Sequence, residues 1–345
     1  MSEISIPYHQ NFMPRIVSCI AIWAICLSIL SGCASEPTTQ PNSPRPNSTN
    51  GATRPTVAVP NFNADSAFAY VKRQVDFGPR VPGTPAHKAC ADWLTAQLRQ
   101  YSDTVLVQTG KVTAHNGKKL PMYNIIASFA PQNPKRILLA AHWDTRPVAD
   151  QDDERSEEPI LGANDGGSGV GVLLEIARQL HAQQPQVGID IVLFDVEDYG
   201  SSDTENSYCL GSQYWAAQPH RPGYKAQYGI LLDMVGAADA VFPKEQFSLA
   251  FAPDIVQRVW NTATNLGFDS YFTPNVGGAI TDDHFYVNKL ANIPTIDIIH
   301  YTPEGTFGKY WHTHDDNMSA VDKNTLSAVG TVVLHVIYNE AVELQ

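Results

Sequence analysis

Residues 137–144 read Ile-Leu-Leu-Ala-Ala-His-Trp-Asp. Five unbroken apolar residues that end abruptly in ionisable ones describe a strand buried on both faces, with its carboxyl end opening onto polar chemistry. The form recurs downstream. Residues 189–194 are followed by Asp195-Val196-Glu197-Asp198, residues 230–232 by Asp233, and residues 295–299 make a fourth short run. Helical spacing fills the intervals at residues 170–183, 210–217, 255–266 and 326–342. Upstream, residues 65–77 and 86–98 also carry apolar residues at helical spacing, the second behind a Thr84-Pro85 start signal. Residues 105–112 and 122–129 read as strands around an Asn116-Gly117 turn. The alternation predicts an α/β fold: an open, mixed, mostly parallel sheet with helices on both faces and a hairpin edge, in a single domain over residues 61–345.

In such sheets ligands bind beyond the carboxyl ends of the strands, and the polar clusters fall there. An unpartnered carboxylate buried at that position costs several kcal/mol, so several together call for a cation. The candidate ligands are His142, Asp165, Asp198, Asp233 and His312. Each alone has an ordinary structural reading as a loop acid, a helix cap or a core imidazole. Together they make a mixed carboxylate and imidazole set that suits Zn²⁺ with one position open. Asp165 sits in Gly162-Ala163-Asn164-Asp165-Gly166-Gly167-Ser168-Gly169. That stretch lacks the Lys and the Gly spacing of a phosphate loop, so its glycines are read as letting backbone approach the site.

Composition narrows the function classes. The 345 residues carry 23 basic and 35 acidic side chains, a formal charge of −12. That balance argues against a nucleic-acid partner and against a basic surface that seeks anionic lipid. Five cysteines in so long a chain exclude a disulfide scaffold. Residues 150–158 hold six acids and one Arg155, read as a solvated loop, with electrostatic attraction of cationic substrate N-termini as the alternative.

The N-terminus reads as an address. Arg15 precedes an apolar run over residues 16–30 that ends in Leu30-Ser31-Gly32-Cys33, which resembles a bacterial lipoprotein signal with Cys33 as the lipidated residue. Residues 1–32 are then a signal peptide and residues 33–60, rich in Pro, Ser, Thr and Asn, a flexible tether. Cys19 and Cys26 leave with the signal, and Cys90 and Cys209 remain as separate buried thiols or a pair. The expected location is the cell envelope of a bacterium, with a periplasmic domain held to a membrane through the lipid alone.

Seven segments in order, AHWDTRP, GANDGGSGVGVLLEIAR, FDVEDYG, YCLGSQYWA, LLDMVG, TDDHFYV and YWHTHDDN, resemble the zinc aminopeptidase superfamily. More narrowly, they are similar to its glutaminyl-peptide cyclotransferase branch. The resemblance spans roughly residues 64–345. It implies one zinc held by Asp165, Asp198 and His312, with Glu197 as general acid/base. It makes Asp233 and Asp283 acids of a hydrogen-bonded network beside the substrate and Trp311 an aromatic wall. His314 is a decoy on this reading. The implied substrates are peptides and proteins with N-terminal Gln, converted to pyroglutamate with release of ammonia. A two-zinc aminopeptidase stays open, because His142 and Asp233 could hold a second metal with Asp165 bridging. So does a non-catalytic binding protein on the same fold. The sequence departs from animal cyclases in having no Trp shortly after Asp198 and no cysteine pair flanking the His142 strand. Tyr199, Tyr214 and Phe285 are therefore the candidates for a second pocket wall.

Overall fold

The computed structural model describes residues 58–343. The signal peptide, Cys33 and nearly all of the tether lie outside them. The described chain runs α1 (Ala64–Val75), α2 (Pro85–Arg99), β1 (Thr104–Thr113), β2 (Lys119–Phe129), β3 (Arg136–His142), α3 (Gly167–Ala182), β4 (Gly188–Phe194), α4 (Leu210–Ala217) and β5 (Tyr228–Asp233). It continues through β6 (Phe242–Lys244), α5 (Gln246–Phe251), α6 (Pro253–Asn265), β7 (Phe272–Val276), α7 (Asp283–Tyr286), a π-helical turn (Val287–Ala291), β8 (Thr295–Ile299) and α8 (Lys323–Glu343). Six strands form one mixed sheet in the order β1-β2-β4-β3-β5-β8. The β1–β2 hairpin is the antiparallel edge, and β4, β3, β5 and β8 run parallel.

Period two explains the layers. Ile137, Leu139 and Ala141 of β3, with Ile189, Ile191 and Leu193 of β4 and Ile230 and Leu232 of β5, pack with residues of α1, α2, α3, α6 and α8. The intervening Leu138, Ala140, Val192, Phe194 and Leu231 pack on the other face with Trp215 of α4 and Val287 of the π-helical turn. Helices on both faces thus account for strands that are apolar at every position. Asp190 interrupts this pattern inside β4. It is fully buried and tolerated because Arg136 binds it through Nε at 2.6 Å and Nη2 at 2.7 Å, with Ser128 and Tyr224 also donating.

Residues 242–291 were not legible as elements, apart from α6. β6 and β7 form their own two-stranded parallel sheet. Each holds a proline and is too short to show a period. Among the described residues no helix is long and apolar enough to cross a membrane.

β3 lies at the topological switch, since β4 flanks it on one side and β5 on the other. Helix α3, which follows the β3 loop, crosses the sheet at van der Waals limit: a methyl group at Gly169 would overlap the Leu232 carbonyl oxygen and stand 3.0 Å from Ala141 Cβ. Gly169→Ala is expected to cost about 3 kcal/mol in urea unfolding. A loss under about 1 kcal/mol would show that α3 can lift off the sheet without penalty.

Candidate metal centre

Three strand ends and two loops supply the site. β3 ends in His142 and β5 in Asp233. Glu197 and Asp198 follow β4, and Asp165 precedes α3. His312 comes from the loop before α8. Asp165, Asp198 and His312, all buried, bring one ligand atom each to within 4.8 Å of one another. His312 Nε2 is 3.4 Å from Asp198 Oδ1 and 3.9 Å from Asp165 Oδ2. Donors about 2.1 Å from a tetrahedral ion lie about 3.4 Å apart, so the spacing fits zinc. Asp198 Oδ2 is moreover buried with no hydrogen-bond partner, as a carboxylate oxygen directed at an ion would be.

A second group adjoins the first. His142 Nε2 lies 3.0 Å from Asp165 Oδ1 and 3.1 Å from Asp233 Oδ1, so Asp165 belongs to both sets. Burial opposes protonation of His142, yet Asp144, Asp165 and Asp233 raise its pKa well above the usual range. For Asp233 burial dominates and pushes its pKa up to about 7 in spite of His142. Glu197 is half-buried at the cavity wall. Burial, against the pull of His142 and with the help of the Asp282, Asp198 and Asp283 charges, holds its pKa well above the ordinary glutamate range. A carboxyl group so displaced holds a proton more readily than an ordinary glutamate, as a proton shuttle requires.

Buried partners orient these groups. The Asp144 carboxylate accepts from the Glu197 amide at 3.0 Å and the Asp198 amide at 3.3 Å. Asp316 accepts from the amides of Asn164 and Asp165 at 2.7 and 3.1 Å. Arg146 donates to Asp198 Oδ1 at 3.2 Å and holds Asp150 through two 2.7 Å bonds, and Asp150 lies 2.9 Å from His312 Nδ1. His312 has its pKa raised to about 9 by Asp198 and Asp150 against the effect of burial. Val196, Cys209, Met234 and His312 all have φ between 50° and 59°, strained for residues with side chains and most of all for β-branched Val196. The turn at Val196 sends Asp195 inward to His87 Nε2 at 2.8 Å and leaves Glu197 and Asp198 facing the cleft.

The cleft is a cavity of about 380 Å³, lined by Asp165, Glu197, Asp198, Asp233, Asp282 and Trp311 among others. Trp311 stacks on the His312 ring at 3.7 Å and packs against Phe307 at 4.7 Å. Trp311 thus stands where a wall was expected. The second wall is different from the candidates: Tyr208, Ile299, Tyr301 and Phe307 line the cavity. Tyr199 packs instead with Leu120 and Met122, and Tyr214 against the same cluster. Phe285 packs on Phe247 and lines a neighbouring cleft.

Asp283 also requires correction. Asp282, the N-cap of α7, lines the cavity, whereas Asp283 is fully buried behind it and faces the Ser212 side chain. Adjacent residues at a helix start point in different directions, and nothing in the Asp-Asp-His string says which acid faces the cleft. Residues 150–158 are largely exposed, as expected of a solvated loop, but Asp150 and Asp152 each take a histidine partner. Asp150 meets His312, and Asp152 lies 2.8 Å from His314 Nδ1, so His314 stays outside both ligand groups. Cys90 and Cys209 are separate buried thiols, and Cys209 Sγ donates to Glu197 Oε1 at 3.1 Å.

Asp198→Ala and His312→Ala are each expected to weaken zinc binding by at least about a hundredfold in chelator competition, and Asp316→Asn, which loosens only the Asp165 loop, by about tenfold. Unchanged affinity in the first two would place any bound zinc elsewhere.

The model of peptidase family M28 matches residues 124–337. A Zn-dependent exopeptidase from Parabacteroides distasonis has a crystal structure with 55% identity and a TM-score of 0.81, covering 82% of this chain and 100% of that one. The glutaminyl cyclase of Bacteroides thetaiotaomicron, solved with N-acetylhistamine, is 53% identical with a TM-score of 0.81, covering 82% of this chain and 99% of that one. The glutaminyl-peptide cyclotransferase of Bos taurus is 25% identical over 285 residues, 74% of this chain and 76% of that protein. The family model covers more than half of the chain, and the chain belongs to peptidase family M28.

Proposed function

We propose that this chain is a zinc-assisted glutaminyl-peptide cyclotransferase that turns the N-terminal Gln of peptides and proteins into pyroglutamate. The observation that carries the reading is the 53% identity to a glutaminyl cyclase across 99% of that chain. The acid-lined, aromatic-walled cavity supports it.

In the reaction the substrate's α-nitrogen forms a bond to its own side-chain amide carbon, the carbon–nitrogen bond to the amide nitrogen breaks, and ammonia leaves. One proton must move from the attacking to the departing nitrogen. Glu197 has the displaced pKa and the position to take that proton and return it, a shuttle typically worth about 10²–10⁴-fold. Zinc held by Asp165, Asp198 and His312 would supply Lewis acidity toward the amide oxygen. Asp233 and Asp282 face the same space and can hold the nitrogens through hydrogen bonds. Trp311 and Phe307 flank the alkyl chain and exclude water. The nucleophile belongs to the substrate, so no activated water is required and one metal suffices.

A two-zinc aminopeptidase is the second reading, favoured by the His142, Asp165 and Asp233 group that adjoins the first. Against it, His142 Nε2 is already within hydrogen-bonding distance of both carboxylates. The expected outcome is ammonia release from Gln-peptides with about one zinc per chain by elemental analysis, zinc retained in His142→Ala, and Glu197→Gln keeping its metal while losing about 10³-fold in kcat. Release of free amino acids from Leu- or Ala-peptides with two zincs would overturn the cyclase.

We also propose that Cys33 is lipidated and tethers a periplasmic domain to a membrane. Cys33→Ser should move the protein from the membrane to the soluble fraction of its native host; unchanged fractionation would refute the anchor.

A further inference from the structure

Cyclisation uses only the first residue of the substrate, so the remaining chain must leave the cavity through an opening. Tyr301 is a wall of the metal-side cavity and also of an adjoining cleft of about 550 Å³, bounded by β6, β7 and the loop after β8. We propose that this cleft, walled by Pro243, Thr273, Val276, Tyr301 and Thr302, binds residues two to four of the substrate as an extended chain and selects uncharged side chains there. The assignment rests on the cyclase reading.

Five observations support it. The cleft exceeds the catalytic cavity in volume, and an extended tripeptide spans about 10 Å. It holds no carboxylate, ammonium or guanidinium, in contrast to the acid-lined cavity beside it, so a charged substrate residue would lose hydration without gaining a partner. Thr302 Oγ1 is buried with no hydrogen-bond partner, a free group within the cleft for a peptide N–H or C=O. Val276 is 60% exposed, an apolar side chain left in water on the cleft wall. A methyl at Gly278 would press on Tyr301, 3.0 Å from its Oη, and glycine there leaves the floor beside the shared tyrosine as bare backbone. The cleft on the opposite side, which shares Tyr208 and Thr281 with the cavity, is lined by hydroxyls and Glu205 and suits the proposed apolar chain less well.

The test compares kcat/KM for ammonia release from Gln-Ala amide and Gln-Ala-Leu-Val amide by the zinc-loaded full chain. The wild type should prefer the longer peptide by about tenfold. Val276→Asp should abolish most of that preference with the dipeptide rate unchanged, and a Lys in place of Leu should restore it in that variant. Thr302→Val should lower the longer peptide alone by about threefold, and Ser202→Lys in the opposite cleft should leave the ratio untouched. Equal kcat/KM for the two peptides in the wild type, or a loss in Val276→Asp and Thr302→Val shared by both, overturns the cleft assignment and leaves the cyclase standing. Absence of ammonia from either peptide overturns both.

Discussion

Mutual repulsion among carboxylates at the ends of β3, β4 and β5 is the constraint on which this architecture turns. Asp165, Asp198, Asp233, Asp282 and Glu197 line one cavity. Burial pushes Glu197, Asp233 and Asp282 toward protonation. His142, His312 and Arg146, with His284 beside Asp282, stand against that charge. A divalent cation at Asp165, Asp198 and His312 would remove the conflict where it is greatest, at the three buried ligands, while Glu197 remains beside them as a proton carrier.

Holding such a cluster together requires rigidity, and backbone hydrogen bonds provide it. Two further carboxylates, Asp144 and Asp316, are spent on the amides of Glu197, Asp198, Asn164 and Asp165. The left-handed residues serve the same end. Val196 and Cys209 each cost about 1–3 kcal/mol in backbone strain, and the start of α4 clamps both, with Cys209 N donating to the Glu197 carbonyl at 2.8 Å and Leu210 N to the Val196 carbonyl at 2.9 Å. Cys209 therefore holds Glu197 by backbone and thiol at once. Strain concentrated beside Glu197, and restrained by a helix start, is the arrangement expected of a preorganised site.

Legibility followed the physics of pattern. The four parallel strands were visible because burial on two faces demands uninterrupted apolar runs, and His142, Asp198 and Asp233 stood out because ionisable residues follow the ends of those runs. The hairpin edge announced itself through Asn116-Gly117. The segment from β6 to the π-helical turn stayed opaque where Pro243, Pro274 and short lengths erase any period. Tyr208 and Phe307 were missed as walls because an aromatic side chain carries no mark of the surface it faces. The contacts of Asp150 with Arg146 and His312 were missed because a charged loop is ordinarily solvated, as most of residues 150–158 are, and nothing in the string marks the approach of His312.

Runs and spacing along the chain settle the sheet, its two helical layers and the acidic strand ends, since burial and period act on neighbours in sequence. The choice between Asp282 and Asp283, the sharing of Asp165 between two ligand groups, the Glu197–Cys209 contact and the cleft beyond Tyr301 were settled by folding. Each depends on where a backbone turn aims a side chain, to within a fraction of an ångström, against a partner a dozen or more residues away. No local pattern encodes that distance, because the strands that set it meet only when the sheet has closed.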